Sequence, residues 1–419
     1  MTVYSLVCWQ GKTGATVTFS GSPSYAVVNL TSHNANTGLG VSFTGGTLPT
    51  GLSAAPQTYY VGVINANSFY LYDTAAHALA GGTTGRITIS SNGSGTITAW
   101  SAFYQANVGN LSRWTSSVPT VYVYGGVGAW VTARNAATGG DAVGIYNTEV
   151  CEIADNFTEV TSGINFNLVC ISTSVSSMVN GTRSAAFHNA VIGTASNPVG
   201  YTITPTNNTY QTIFTATSYY VAIDGISMYL NYGGTTGILV NQAGTTFSNN
   251  ILYANPGSGA ITAILMQSDL QQIYNNIILY CSAYGYKSGS YSGSYGKVYN
   301  NIIAKCAGTG WFGNAAYGQY YNNIGIGNGT NWGTGPSATT LGTGAGYNFG
   351  VSGDTPWYIG ANTSIATLST TNGVDFTSYT ADNYIPASTS SKQVDTGLNV
   401  YQGVQTDIRG HYRPDYIPT

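Results

Sequence analysis

Asn249-Asn250-Ile251, Asn275-Asn276-Ile277, Asn300-Asn301-Ile302 and Asn322-Asn323-Ile324 repeat one tripeptide at steps of 26, 25 and 22 residues through the middle of the chain. A period in the low to mid twenties is that of one coil of a right-handed parallel β-helix. Three short strands and their turns bring the chain back above itself, displaced by one strand spacing of ~4.8 Å. Working outward, Ala222-Ile223-Asp224-Gly225-Ile226 carries Asp-Gly 25 residues before the first pair, and Asn348 of Tyr347-Asn348-Phe349 follows Asn323 by 25. The period therefore holds from about residue 220 to 350.

The column two residues before each pair reads Ala222, Phe247, Ile273, Val298 and Tyr320, and the column after it reads Ile226, Ile251, Ile277, Ile302 and Ile324. Both are expected to be inward-facing ladders, because β-branched side chains stack well against copies of themselves on a pleated surface. The pairs Asn249/Asn250, Asn275/Asn276, Asn300/Asn301 and Asn322/Asn323 read as a structural ladder of turns. Asparagine tolerates the left-handed conformation, and its amide can bond its own backbone and the Asn of the next coil.

Only 6% of the residues are charged, against about 25% in an average soluble domain, while Gly counts 55 and Tyr 34. Hydrophobic residues at 43%, grouped in strand-length Val/Ile/Tyr runs, exceed what a disordered chain carries and point to an all-β fold. A net charge of −3 with 11 scattered basic residues offers no patch for nucleic-acid phosphates or anionic lipid, so neither is expected as a partner. No apolar run is long enough for membrane insertion, and the start, Met1 to Gln10, lacks the basic and apolar regions of a secretory signal. The five cysteines are too few to staple a chain of 419 residues; Cys281 and Cys306, 25 apart, are expected to be free thiols on adjacent coils. No Cys/His spacing matches a zinc site, and no metal or other cofactor is expected.

Residues 1–100 lack the period and read as a small antiparallel β barrel or sandwich, with Ala15–Phe19, Tyr59–Ile64 and Ser68–Tyr72 as strands. Residues 101–120 read as a linker, 121–350 as the parallel β-helix and 351–419 as a C-terminal capping segment. The stretch Thr47-Leu48-Pro49-Thr50-Gly51-Leu52, then Tyr59-Tyr60-Val61, Asn67 to Leu71, Thr74 and Gly81-Gly82-Thr83 resembles a small β module of bacteriophage tail and other virion proteins. Thr202 to Pro205 with Val221 to Ile226 is similar to coils of the pectin-lyase-like β-helix superfamily, and Val394 to Gly397 with Thr406 to Gly410 resembles its closing segments.

An enzyme acting on polysaccharide needs two facing carboxyl groups, or carboxylates for calcium with a basic residue. Across residues 220–350 the charged residues are Asp224, Asp269, Lys287, Lys297 and Lys305, a thin supply that makes catalysis the less favoured reading and yields no catalytic residue. Glu149, Glu152 and Glu159 fall together in one early segment, as a solvated coil or a cap would. Tyr284, Tyr286, Tyr291 and Tyr295, spaced by Gly and Ser within one coil, are the candidate surface for a glycan or partner protein.

The resemblance implies a bacteriophage virion structural protein: a surface spike, fibre or capsid decoration, located on the virion. Its partners would be other virion proteins and host surface glycan, with residues 1–100 as the attachment end. Homotrimers are common among spikes of this resemblance, although this chain has no heptad stalk. A tailspike-type depolymerase, hydrolase or lyase, and a bacterial surface adhesin stand as the alternatives.

Overall fold

The computed structural model describes residues 2–107, 122–138, 148–166, 177–181, 201–206, 212–216, 221–230, 234–241, 243–255, 259–268, 271–289, 296–313, 318–333, 345–346, 348–351, 354, 368–371, 376–378 and 383–386. Three parallel sheets, one of ten strands and two of seven, enclose a tube. Each coil gives one strand to each sheet: Gln272–Tyr274, Ile277–Leu279 and Tyr284–Ser288 form one coil, and Lys297–Tyr299, Ile302–Ala304 and Thr309–Phe312 the next.

The register is kept from coil to coil. Phe247, Ile273, Val298 and Tyr320 are partners up the first sheet, and Leu252, Ile278 and Ile303 up the second. Ile238, Ile264, Tyr286, Trp311 and Trp332 run up the third. All are buried in one continuous core, and each such aliphatic side chain contributes about 1.5–3 kcal/mol by leaving water. The rings of Trp311 and Trp332 stack at 5.4 Å.

The structure corrects the sequence alignment in two places. Ile223, not Ala222, is the partner of Phe247, and Asp224 is that of Ser248. The reason is backbone conformation: the first Asn of each pair is left-handed, with φ of 54° at Asn249, 56° at Asn275, 58° at Asn300 and 56° at Asn322, and Gly225 at 73° holds that place one coil earlier. Ile226 then stands where the later coils have their second Asn.

The second correction concerns the Ile column after the pair. The second Asn points into the tube, so strand alternation turns Ile251 outward and Leu252 inward. Ile251, Ile277 and Ile324 accordingly join Leu279, Ala304, Ile326, Phe349 and Leu368 in a separate apolar cluster on the outside of the second sheet. Leu368 is tied there by its N–H, which donates to the Gly350 carbonyl at 2.8 Å.

Six antiparallel strands close a barrel in the order Ala15–Ser20, Val27–Asn29, Ser68–Tyr72, Tyr59–Asn65, Gly40–Thr44 and Ile97–Ser101. Phe19 and Phe43 meet edge to face at 5.2 Å in its core. The strand Thr2–Val7 is not part of it. It lies in the first sheet of the tube, parallel to Thr148–Ile153 on one side and Val123–Tyr124 on the other. Grouping residues 1–100 by sequence order therefore misplaces this strand, since its alternation suits either sheet and only its distant partner decides.

The helix Val127–Thr138 packs against the strand Ile164–Phe166 at the start of the third sheet. Its Val127, Trp130 and Val131 are buried in the same core as Ile153, Ile164, Ile203 and Ile213. The helix thereby shields a first coil that would otherwise expose strand edge. The barrel touches this end of the tube too: Ala35 bridges Phe157, and the Asn156 side chain donates to the Thr37 carbonyl at 2.9 Å. A short helix, Ala102–Asn107, follows the barrel. The rest of the expected linker, 108–120, and the tail 387–419 lie outside the described residues.

Candidate functional site

The four tyrosines singled out by sequence do not form one surface. Tyr286 is fully buried in the tube, its hydroxyl 2.8 Å from the Met266 sulfur and 3.4 Å from the Tyr320 hydroxyl, so it has no outward face to offer. Tyr284 is on the outside of the third sheet, where the Lys287 ammonium sits 4.6 Å from its ring centre and Phe312 lies 5.3 Å away. Tyr291 and Tyr295 lie outside the described residues. Strict alternation would put Tyr284 and Tyr286 on one face, but Gly285 and Tyr286 are consecutive buried positions in this strand, and a Cβ at Gly285 would collide with the Ile303 side chain.

The Asn pairs divide into two roles. In the inner row, the Oδ1 of Asn250 accepts from the Ile226 N–H at 2.9 Å, and each later Asn repeats this on the residue one coil back: Asn276 on Asn250, Asn301 on Asn276, Asn323 on Asn301 and Asn348 on Asn323. Each Nδ2 reaches back to a carbonyl, of Ile223, Phe247, Ile273, Val298 and Tyr320 in turn. In the outer row, Asn249 donates to Asp224 at 2.6 Å, Asn275 to Asn249 and Asn322 to Asn300, both at 3.2 Å. The inner row satisfies buried backbone donors that the turn removes from the sheet ladders.

A more regular surface stands on the outside of the first sheet. Ser248, Tyr274, Tyr299 and Tyr321 are partners on successive coils, as are Thr246, Gln272, Lys297 and Gln319 two residues before them. The rings of Tyr274 and Tyr299 are parallel to within 6° at 5.2 Å. Gln272 and Lys297 are exposed, and Thr246, Gln319, Tyr274 and Tyr321 are half-buried. Burial raises the hydroxyl pKa of Tyr274 and of Tyr321, so both stay protonated at neutral pH. This face was legible in the very motif that decides the fold, since Gln-Ile-Tyr, Lys-Val-Tyr and Gln-Tyr-Tyr precede the last three Asn pairs.

The acidic residues at the barrel junction are held by structure. The Glu159 carboxylate accepts from the Val127 N–H at 2.7 Å and the Gly128 N–H at 2.8 Å, at the start of the helix Val127–Thr138, and from the Tyr201 hydroxyl. Its pKa is raised by burial, against which these donors pull. Asp155 accepts from the Trp9 N–H at 2.8 Å and from Ser101, and enclosure by protein pushes its pKa up to about 6. A cavity of about 530 Å³ opens beside them, with Trp9, Lys12, Asn34, Tyr124 and Val160 in its walls. Farther along the tube, Asp224 is bound by Ser248 and Asn249, and Asp354 by Asn331 and the Val351 N–H. Cys281 and Cys306 are buried free thiols on adjacent coils, the Cys281 N–H lying 3.3 Å from the Cys306 sulfur.

No family model, no curated protein and no solved structure matches this chain.

Proposed function

We propose that this chain is a bacteriophage virion structural protein, a β-helical surface spike, fibre or capsid decoration that acts as a rigid scaffold and meets host surface glycan on its outer faces. The parallel β-solenoid fits a surface spike or fibre. The observation that carries the reading is axial continuity. From Ile223 to Trp332 successive coils are bonded through three sheets, and the inner Asn row continues to Asn348, which resists bending. The barrel, seated at one end of the tube, is suited to attachment, with other virion proteins as partners and a homotrimer as an assembly.

A tailspike-type depolymerase is the second reading, and it has less support. Glu159, Asp224 and Asp354 are each bound by two or more donors of the fold, and Asp155 by the Trp9 N–H and Ser101; such groups make poor acid-base pairs across a substrate. The test is a cryo-EM map of purified particles that contain the chain. Rod-shaped density on a capsid lattice or tail supports the structural reading and gives its copy number. A protein found only free in the lysate, or one that releases sugar from bacterial polysaccharide, overturns it.

A further inference from the structure

The row Gln272, Lys297 and Gln319, beside Tyr274, Tyr299 and Tyr321, holds the ingredients of a selective surface. We infer that this face of the first sheet binds an acidic polysaccharide laid along the tube axis, with a sugar carboxylate on the Lys297 ammonium and the neighbouring units hydrogen-bonded by Gln272 and Gln319. The inference rests on the glycan contact proposed above and adds to it the charge of the ligand and the residues that read it.

Three observations support it. The first is periodicity: the row repeats one polar head per coil at ~4.8 Å, a spacing comparable to the length of one pyranose unit, so a linear glycan stays in step with it over three coils. The second is charge. From residue 270 to residue 353 the chain carries Lys287, Lys297 and Lys305 and neither Asp nor Glu. Among the described residues, the acid nearest along the tyrosine column is Asp224, three ladder steps from Tyr299, or ~14 Å, which exceeds the screening length of ~8 Å at physiological salt. Its carboxylate is also held already by Ser248 and Asn249.

The third is preorganisation. The Tyr274 and Tyr299 rings lie face to face at 5.2 Å, and Tyr299 is buried, which holds the pair in place. They form a stiff wall that lowers the local dielectric beside Lys297 and loses little entropy on binding. An acidic protein surface would use the same ammonium, but the match of coil to sugar length favours a repeating glycan.

The experiment uses the full chain and a panel of uronic-acid-containing bacterial polysaccharides, each paired with the same polymer after carboxyl reduction. Wild type is expected to bind members of the acidic set, more weakly as salt rises. Lys297→Gln keeps a polar head without the charge and should weaken binding about tenfold or more, while Lys297→Arg restores it. Circular dichroism and melting temperature should be the same for all three proteins.

Equal binding of the acidic and carboxyl-reduced polymers overturns the charge assignment and leaves glycan contact standing. Failure to bind any polymer overturns both. Self-association that is lost in Lys297→Gln or Tyr321→Ser overturns the inference by making this face an interface between copies.

Discussion

Asn301 accepts two hydrogen bonds from Asn276 through one oxygen, from the backbone N–H at 3.0 Å and from the side-chain amide at 2.9 Å, and its own amide donates to the Ile273 and Tyr299 carbonyls. One buried side chain thus bonds the backbone of two neighbouring coils. Asn301→Ala leaves the Asn276 N–H without its acceptor and removes the side-chain bonds to the Ile273 and Tyr299 carbonyls, and should cost about 1–3 kcal/mol in urea unfolding. Asn301→Asp keeps the acceptor but sets a carboxylate against two carbonyls. It should be at least as damaging at pH 7 and recover part of the loss in acid, where a protonated carboxyl can donate.

The outer row is expected to respond to backbone geometry. At Asn275 φ is 56°, a conformation that costs an alanine about 1–2 kcal/mol. Asn275→Gly should therefore be closer to wild type in thermal stability than Asn275→Ala, although both lose the bond to Asn249. A reversed order of melting temperatures would refute the assignment of this position to turn geometry.

Stability should depend on Asp155 in a definite direction. Its pKa is raised from 3.8 to about 6 on folding, so the folded state holds a proton that the unfolded chain has released. The contribution is fully present below pH 3.8 and is lost as pH rises through about 6. Between those limits it amounts to about 2 kcal/mol after allowance for the surface Asp155 keeps. Asp155→Asn should flatten this part of a melting-temperature profile taken from pH 4 to 7; an unchanged slope would assign it to other groups.

Leu368 covers the apolar cluster on the outside of the second sheet and is itself buried. Leu368→Ala should cost about 2–4 kcal/mol. Leu368→Asp should in addition uncover Ile251, Ile277 and Ile324, seen as increased binding of a hydrophobic dye and as concentration-dependent aggregation. A monomeric variant without added dye signal would show that Leu368 does not seal this patch.

The tube was legible because its period is written in one tripeptide, whose φ-permissive first Asn and buried second Asn recur in fixed places. What the repeat could not give was facing. A two-residue turn hides one change of side, so the Ile251 column read as lumen, and Asp224-Gly225 aligned one residue out of step. The tyrosines fared similarly. Tyr284 and Tyr286 look equivalent in sequence, and only the position of Gly285 in the pleat separates an outer ring from an inner one. The place of Thr2–Val7 depended on a partner roughly 140 residues away, a contact that no local pattern encodes.

That placement bears on how the protein is made. Val7 pairs with Ile153, so the leading strand leaves the ribosome long before its neighbour exists. At synthesis rates of about 5–20 residues per second it waits roughly 7–30 seconds for this partner. The barrel, whose strands all lie between Ala15 and Ser101, can close in that interval, and the leading strand stays unpaired beside it until residues 123–124 and then 148–153 emerge. During synthesis this segment is an orphaned, sticky edge, and a chaperone that shields nascent chains would find a binding site there.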